Sequence, residues 1–254
     1  LTAIIALLLV AVALPVQAGS TAGAQYASPV DLAAGSELIL PLGDSIIVED
    51  DAGGEAIMGK PAVAGDGSKF LVVWRADNQH VRGARVAHDG TLLDPSGIDI
   101  LVSPETSGFP TVGFDGTNFV VFFSHVPASQ NTWELYAVRV APDGTVLDPG
   151  GVRLTTGASL KEYRVLGVAF DGTNFLIPWR SSASDVYIAR VNSTPANLDG
   201  PTGILVTGNH VSWYLAVSFD GNNFLVTWHD GRGAPYGIYG ARVTKAGVVL
   251  EPGG

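Results

Sequence analysis

Cysteine is absent from the 254 residues, and methionine occurs once. No disulfide framework, thiolate metal site, cysteine nucleophile or lipobox cysteine is therefore available, and the chain needs no oxidising compartment. Basic residues are also scarce: 14 Lys and Arg stand against 24 Asp and Glu, a formal net charge of -10. Nucleic acid presents a dense row of phosphates and calls for a basic patch. No Lys/Arg cluster exists here, which argues against nucleic acid and anionic membrane surfaces as partners. Catalytic signatures are missing too. There is no Gly-x-Ser-x-Gly elbow, no phosphate loop and no His-Glu-x-x-His. The five histidines are scattered without ligand spacing. Glu49-Asp50-Asp51 with Glu55 offers oxygens to Ca²⁺ but lacks the ordered loop pattern. The reading is of no cofactor, no metal and no catalytic residue.

What the chain does have is apolar material and turns. Hydrophobic residues make up 46% and charged ones 15%, so a core is affordable and disorder is a poor description. Thirty-two glycines and 15 prolines without a collagen period indicate many tight turns, as in an all-β fold.

Residues Ala3 to Leu14 are wholly apolar, followed by Pro15 and then Val16-Gln17-Ala18 before Gly19. The run is shorter than the ~20 residues of a comfortable membrane span. It reads as a signal peptide over residues 1–18, cleaved after Ala18, without membrane insertion afterwards. The expected location is secreted, periplasmic or cell-surface. There is no initiator Met and no basic n-region, and the simplest account is a chain clipped at its start. Residues 19–35 read as a flexible lead-in to a domain over 36–254.

That domain is repetitive, and repeats decide the fold. Four segments align: Pro61 to Trp74, Pro110 to Phe123, Leu166 to Trp179 and Leu215 to Trp228. Their anchoring aspartates, Asp66, Asp115, Asp171 and Asp220, are spaced 49, 56 and 49 residues apart. Each segment continues into an Ala-Arg-Val or Val-Arg-Val signature ending at Val86, Val140, Val191 or Val243. A further turn follows, such as Asp143-Gly-Thr-Val-Leu-Asp-Pro149. Within a unit, two β-rich runs flank Asp-Gly, the favoured pair for a type I′ turn, and so form a hairpin. The Ala-Arg-Val strand pairs next, and a fourth strand is predicted near Gly97–Val102.

Four antiparallel strands in about fifty residues cannot bury enough surface alone and must stack on copies of themselves. Continuous apolar runs such as Phe119–Phe123 indicate burial on both faces. A β-solenoid needs shorter coils, and a string of sandwiches needs longer domains. The prediction is an all-β, β-propeller fold of four-stranded blades. The fourth repeat stops at Gly253-Gly254, before its last strand. Either residues 44–49 supply that strand and the ring closes at four, or the chain is clipped and the ring is larger; truncation is favoured.

The phrase Phe-Asp-Gly-Thr-Asn-Phe-Leu-x-x-Trp, followed by Ala-Arg-Val and Asp-Gly-Thr-Val-Leu-Asp-Pro-Gly-Gly, resembles repeats of exported bacterial proteins of unassigned role. The resemblance covers residues 61–254. It implies a secreted or surface propeller and no defined activity. The kelch double glycine, the WD-repeat ending and the sialidase Asp-box are not matched.

A residue present in every repeat is expected to be structural, because one site needs one copy. By that filter the four aspartates form turns, and Trp74, Trp179 and Trp228 pack blades. Arg85, Arg139, Arg190 and Arg242 pair with carboxylates or carbonyls, with an anion clamp as the minor alternative. Residues that break the repeat are the binding candidates. These are Trp133 and Glu134 with His125, then Trp213 and Tyr214 with His210, then His229, Arg232 and Tyr236. Lys161-Glu-Tyr-Arg164 forms a further group. Exposed aromatics beside polar groups suit carbohydrate or peptide contact. The function expected is an exported, non-enzymatic module recognising a glycan or protein. A polysaccharide-acting hydrolase or lyase is the second reading, and a structural segment of a larger surface adhesin the third. The sequence does not fix the oligomeric state.

Overall fold

The strand Phe119–His125 is buried at every position, which requires packed neighbours on both faces. The computed structural model describes residues 58–254 except 78, 129–130, 159, 166, 209–211 and 234–235, and only the backbone at 58–59, 161–165 and 212–213. The expected signal peptide, the lead-in, the strand at 44–49 and the acidic group at 49–55 lie outside the described residues, as does His210.

The described residues form no helix and build four antiparallel sheets in chain order. The first blade runs β1 (Met58–Gly65), β2 (Lys69–Arg75), β3 (Val81–Ala87), β4 (Ile98–Leu101). The second runs β5 (Thr111–Phe114), β6 (Phe119–His125), β7 (Glu134–Val140), β8 (Val152–Arg153). In the third, β9 (Leu160–Val165) and β10 (Ala169–Phe170) both pair with β11 (Asn174–Ser181). They share the first-strand position, and β12 (Val186–Asn192) and β13 (Ile204–Thr207) follow. The fourth contains β14 (Ser212–Phe219), β15 (Asn223–Asp230) and β16 (Gly237–Thr244). These are the stacked antiparallel blades of a β-propeller.

Alternation along each second strand joins the blades. In β6, Phe119, Val121 and Phe123 join the core shared with the first blade, whereas Val120 and Phe122 join the core shared with the third. In β11, Phe175, Ile177 and Trp179 face back to the second blade, and Leu176 faces the fourth. In β15, Phe224, Val226 and Trp228 again face back. Each interface thus sets an aromatic Phe-x-Φ-x-aromatic row against the opposite face of the preceding second strand: Leu71 and Val73, Val120 and Phe122, or Leu176. Edge-on ring contacts such as Phe122 to Phe175, 5.3 Å between centroids, knit the second and third blades.

The Asp-Gly turns differ from the type I′ expectation. That turn needs φ > 0 at both central residues. Only the glycine has it (Gly67 at 91°, Gly116 at 93°), and none of the aspartates does. The hairpin closes with a longer loop between Gly65 and Phe70. Asp66 Oδ1 accepts from the backbone N–H of Ser68 and Lys69 at 2.7 and 2.8 Å, and Asp115, Asp171 and Asp220 repeat the pattern. The aspartate is used for its acceptor oxygen, which satisfies the loop's N–H groups.

The repeated arginines each pair with a carboxylate nine residues on. Arg85 meets Asp94 and Arg139 meets Asp148 at 2.8 Å; Arg190 meets Asp199 and Arg242 meets Glu251 at 2.5 Å. The guanidinium bonds hold the Asp94 and Asp148 carboxyls below their ordinary range, against the opposing effect of burial. Two of the arginines also reach the next blade. Arg85 Nη1 donates to the Pro142 carbonyl and Arg190 Nη1 to the Lys245 carbonyl, both at 3.0 Å.

Candidate functional site

The end of β15 carries the sequence Trp228-His229-Asp230, and alternation sends its members to opposite faces. Trp228 and Asp230 point into the interface with the third blade and are fully buried. A buried carboxylate needs donors. Asp230 Oδ2 receives Trp228 Nε1–H at 2.8 Å and Arg232 at 2.9 Å (Nε) and 2.6 Å (Nη2), while Oδ1 takes the Arg232 backbone N–H at 2.7 Å. Burial pushes this carboxyl up, but the Arg232 and Trp228 bonds and the Arg232 charge outweigh it and lower it to about 2. The Arg232 guanidinium also lies over the Tyr239 ring, 4.0 Å from its centroid. Arg232 is thus held by Asp230 and Tyr239.

His229 lies on the opposite face, flanked by two tyrosines. Its ring centroid is 6.4 Å from that of Tyr214 and 5.4 Å from that of Tyr236. Tyr214 sits where the register of β14 on β15 shifts between Trp213 and Ala216. Its φ of 52° is uncommon for a residue with a side chain. The irregularity leaves the ring 71% exposed, and Tyr236, just before β16, is 65% exposed. Trp213 pairs with His229 through the backbone. Two exposed rings bracketing an imidazole offer apolar faces for stacking and hydroxyl tips for hydrogen bonds.

Trp133 and Glu134 lie elsewhere, at the start of β7. Glu134 is fully buried. Its carboxylate accepts from Thr155 Oγ1 at 2.6 Å and from the backbone N–H of Gly157 and Ala158 at 2.7 and 3.3 Å, with Arg153 at 3.3 Å. This fastens the loop that leads from β8 to β9. Trp133 bridges to Leu160 and packs on the core between the second and third blades. Of the residues singled out in the sequence, Tyr214 and Tyr236 are exposed beside His229 on the fourth blade, Arg232 is held by Asp230, and Glu134 and Trp133 are packed into the second.

One polar group is not evident in the sequence. His125 is buried at the end of β6, with Nδ1 at 3.0 Å from Ser107 Oγ and Nε2 at 3.5 Å from Ser103 Oγ. Ser103 Oγ in turn donates to Glu105 Oε2 at 2.5 Å. Burial lowers the His125 pKa, partly opposed by the Glu105 charge and a backbone bond. Nothing in the spacing of two serines and a glutamate twenty residues upstream signals this meeting. Among the described residues, no group of three or more His, Asp and Glu could hold a metal ion.

No protein-family model matches the chain, and no curated protein matches it. Solved structures do. The Bacteroides ovatus xyloglucan PUL protein GH43B is similar at 11% identity and a TM-score of 0.51, over 78% of this chain and 41% of its own. A GH43 endo-arabinanase from Bacillus licheniformis is similar at 14% identity and 0.47, over 78% of each chain. The Dos1 propeller is similar at 9% identity and 0.41, over 67% of this chain and 41% of its own. At these identities the likeness is one of fold, and with the four stacked antiparallel sheets it makes the chain a β-propeller.

Proposed function

We propose that the chain is an exported propeller that recognises a polysaccharide through Tyr214, His229 and Tyr236. The observation that carries this reading is the pair of exposed tyrosine rings on either side of His229. Pyranose rings present apolar C–H faces that stack on aromatics and hydroxyls that bond to tyrosine and imidazole. Support also comes from the GH43B structure, whose own description is of a xyloglucan locus.

That same likeness favours a second reading, a polysaccharide hydrolase. Glycoside cleavage by two carboxyl groups needs one kept protonated by a raised pKa. The binding reading rests on the exposed tyrosine pair, and the hydrolase reading on the likeness to a GH43 protein. Affinity electrophoresis against xyloglucan, arabinan and xylan, run beside a reducing-sugar assay, separates the two. Retarded migration without sugar release is the expected result. Sugar release would establish the hydrolase, and neither retardation nor release would remove both readings.

A further inference from the structure

The face of the fourth blade that carries His229 departs from the repeat beyond the two tyrosines. On β15, Phe224, Val226 and Trp228 are buried against the third blade, so Leu225, Thr227 and His229 point the other way. Leu225 is 47% exposed, and Ile238, paired with His229, is 74% exposed. The residues at the repeat position of Thr227 are Val73, Phe122 and Pro178, all apolar and buried. Only the fourth blade places a hydroxyl there. Its cross-strand neighbours are Ala216 and Gly240, so no bulky side chain rises beside it. A Cβ at Gly240 would stand 3.2 Å from Thr227 Cγ2 and 3.5 Å from Leu225 Cδ1, and the glycine keeps this ground low. A shallow lane therefore follows β15 from the Tyr214–His229–Tyr236 group to Leu225, about 13 Å for four residues of strand. Across from Leu225 stands Arg242, whose charge is already met by Glu251 at 2.5 Å.

We propose that this lane binds an uncharged glycan along the length of its chain, from the tyrosines past Thr227 to Leu225. The inference rests on the carbohydrate reading and adds to it the length and the charge of the ligand. Apolar Ile238 and Leu225 alternate along the lane with the His229 imidazole and the Thr227 hydroxyl. A sugar chain alternates in the same way, between C–H faces that pack on apolar side chains and hydroxyls that form hydrogen bonds. An apolar protein surface would instead leave the Thr227 hydroxyl without a partner, which is costly once water is excluded. The three buried interfaces accordingly have no hydroxyl at that position. Low ground at Ala216 and Gly240 leaves the middle of the lane without a wall, so an internal stretch of chain can lie across it. Arg242 is occupied by Glu251, so a chain bearing carboxylates gains no bidentate cation at the far end.

Calorimetric titration with cello-, xylo- and arabino-oligosaccharides of graded length tests it, beside oligogalacturonates of the same lengths. In the neutral series that binds, affinity should rise about tenfold or more from disaccharide to hexasaccharide. Leu225→Asp should abolish that rise, whereas Tyr214→Ala should weaken binding at every length. Ser218→Glu, across from Leu225 on β14, repeats the first test if Leu225→Asp melts early. Oligogalacturonates should bind about tenfold more weakly than the neutral sugars. An affinity independent of length, or a rise that survives in both Leu225→Asp and Ser218→Glu, would overturn the lane and leave the tyrosine site standing. Oligogalacturonates that bind as tightly as the neutral sugars would overturn the assignment of charge. Binding of none of these sugars would remove the carbohydrate reading and the lane together.

Discussion

Asp230 accepts a hydrogen bond from Trp228 Nε1 at 2.8 Å while holding Arg232 at 2.6 Å, so one buried carboxylate ties the blade core to the arginine that follows β15. Its removal tests that coupling. Asp230→Ala leaves a buried indole donor unsatisfied and frees Arg232, at a cost of about 1–3 kcal/mol. Chemical denaturation should show a lower midpoint with an unchanged slope.

The same residue sets an acid limb. Its folded pKa of about 2 lies below the ordinary 3.8, so its stabilisation is present above pH ~4 and is lost as pH falls towards ~2. Melting temperature against pH should decline over that window in the wild type and decline less in Asp230→Asn.

His125 acts in a higher window. Burial lowers its pKa from 6.5, so the unfolded chain takes up its proton first as pH falls. Stability that is full above pH ~6.5 should diminish below it. A melting series from pH 8 to 5 should show this loss in the wild type, and His125→Asn should flatten it.

Packing and exposure separate the core from the site. Phe175 is fully buried between the second and third blades, and Phe175→Ala should cost ~3–5 kcal/mol. Tyr214→Ala, at an exposed ring, should cost under about 0.5 kcal/mol. Equilibrium unfolding of the two variants measures the contrast.

One glycine is fixed by its surroundings. Gly203 has φ of 70°, and a Cβ there would lie 2.5 Å from the Ile188 carbonyl and collide with the Trp179 ring. Gly203→Ala should destabilise by about 2–3 kcal/mol, read as a drop in melting temperature.

The repeat made the blades legible because strand alternation and the recurring Phe and Trp positions report burial directly. The arginine pairing was legible for the same reason: Asp94, Asp148, Asp199 and Glu251 recur at one spacing. Turn geometry was less so, since Asp66 uses its side chain to close a longer loop than Asp-Gly implies. The split of β9 from β10 has no signature in composition. At the site, His229 and Tyr236 fall close in sequence, and the β14–β15 pairing brings Tyr214 to them. Glu134 resembled a surface contact because it breaks the repeat, yet burial of a single carboxylate depends on the loop at 154–158 folding over it. The filter that sets repeated residues aside finds exceptions without distinguishing anchors from contacts.

The carbohydrate reading rests most directly on the tyrosines. Calorimetric titration of xyloglucan oligosaccharide into the wild type, Tyr214→Ala and Tyr236→Ala is the measurement to make. The account predicts saturable binding to the wild type, weakened tenfold or more (about 1.4 kcal/mol) in each variant at unchanged melting temperature. Equal affinity in all three proteins, or no binding to any of them, would contradict it.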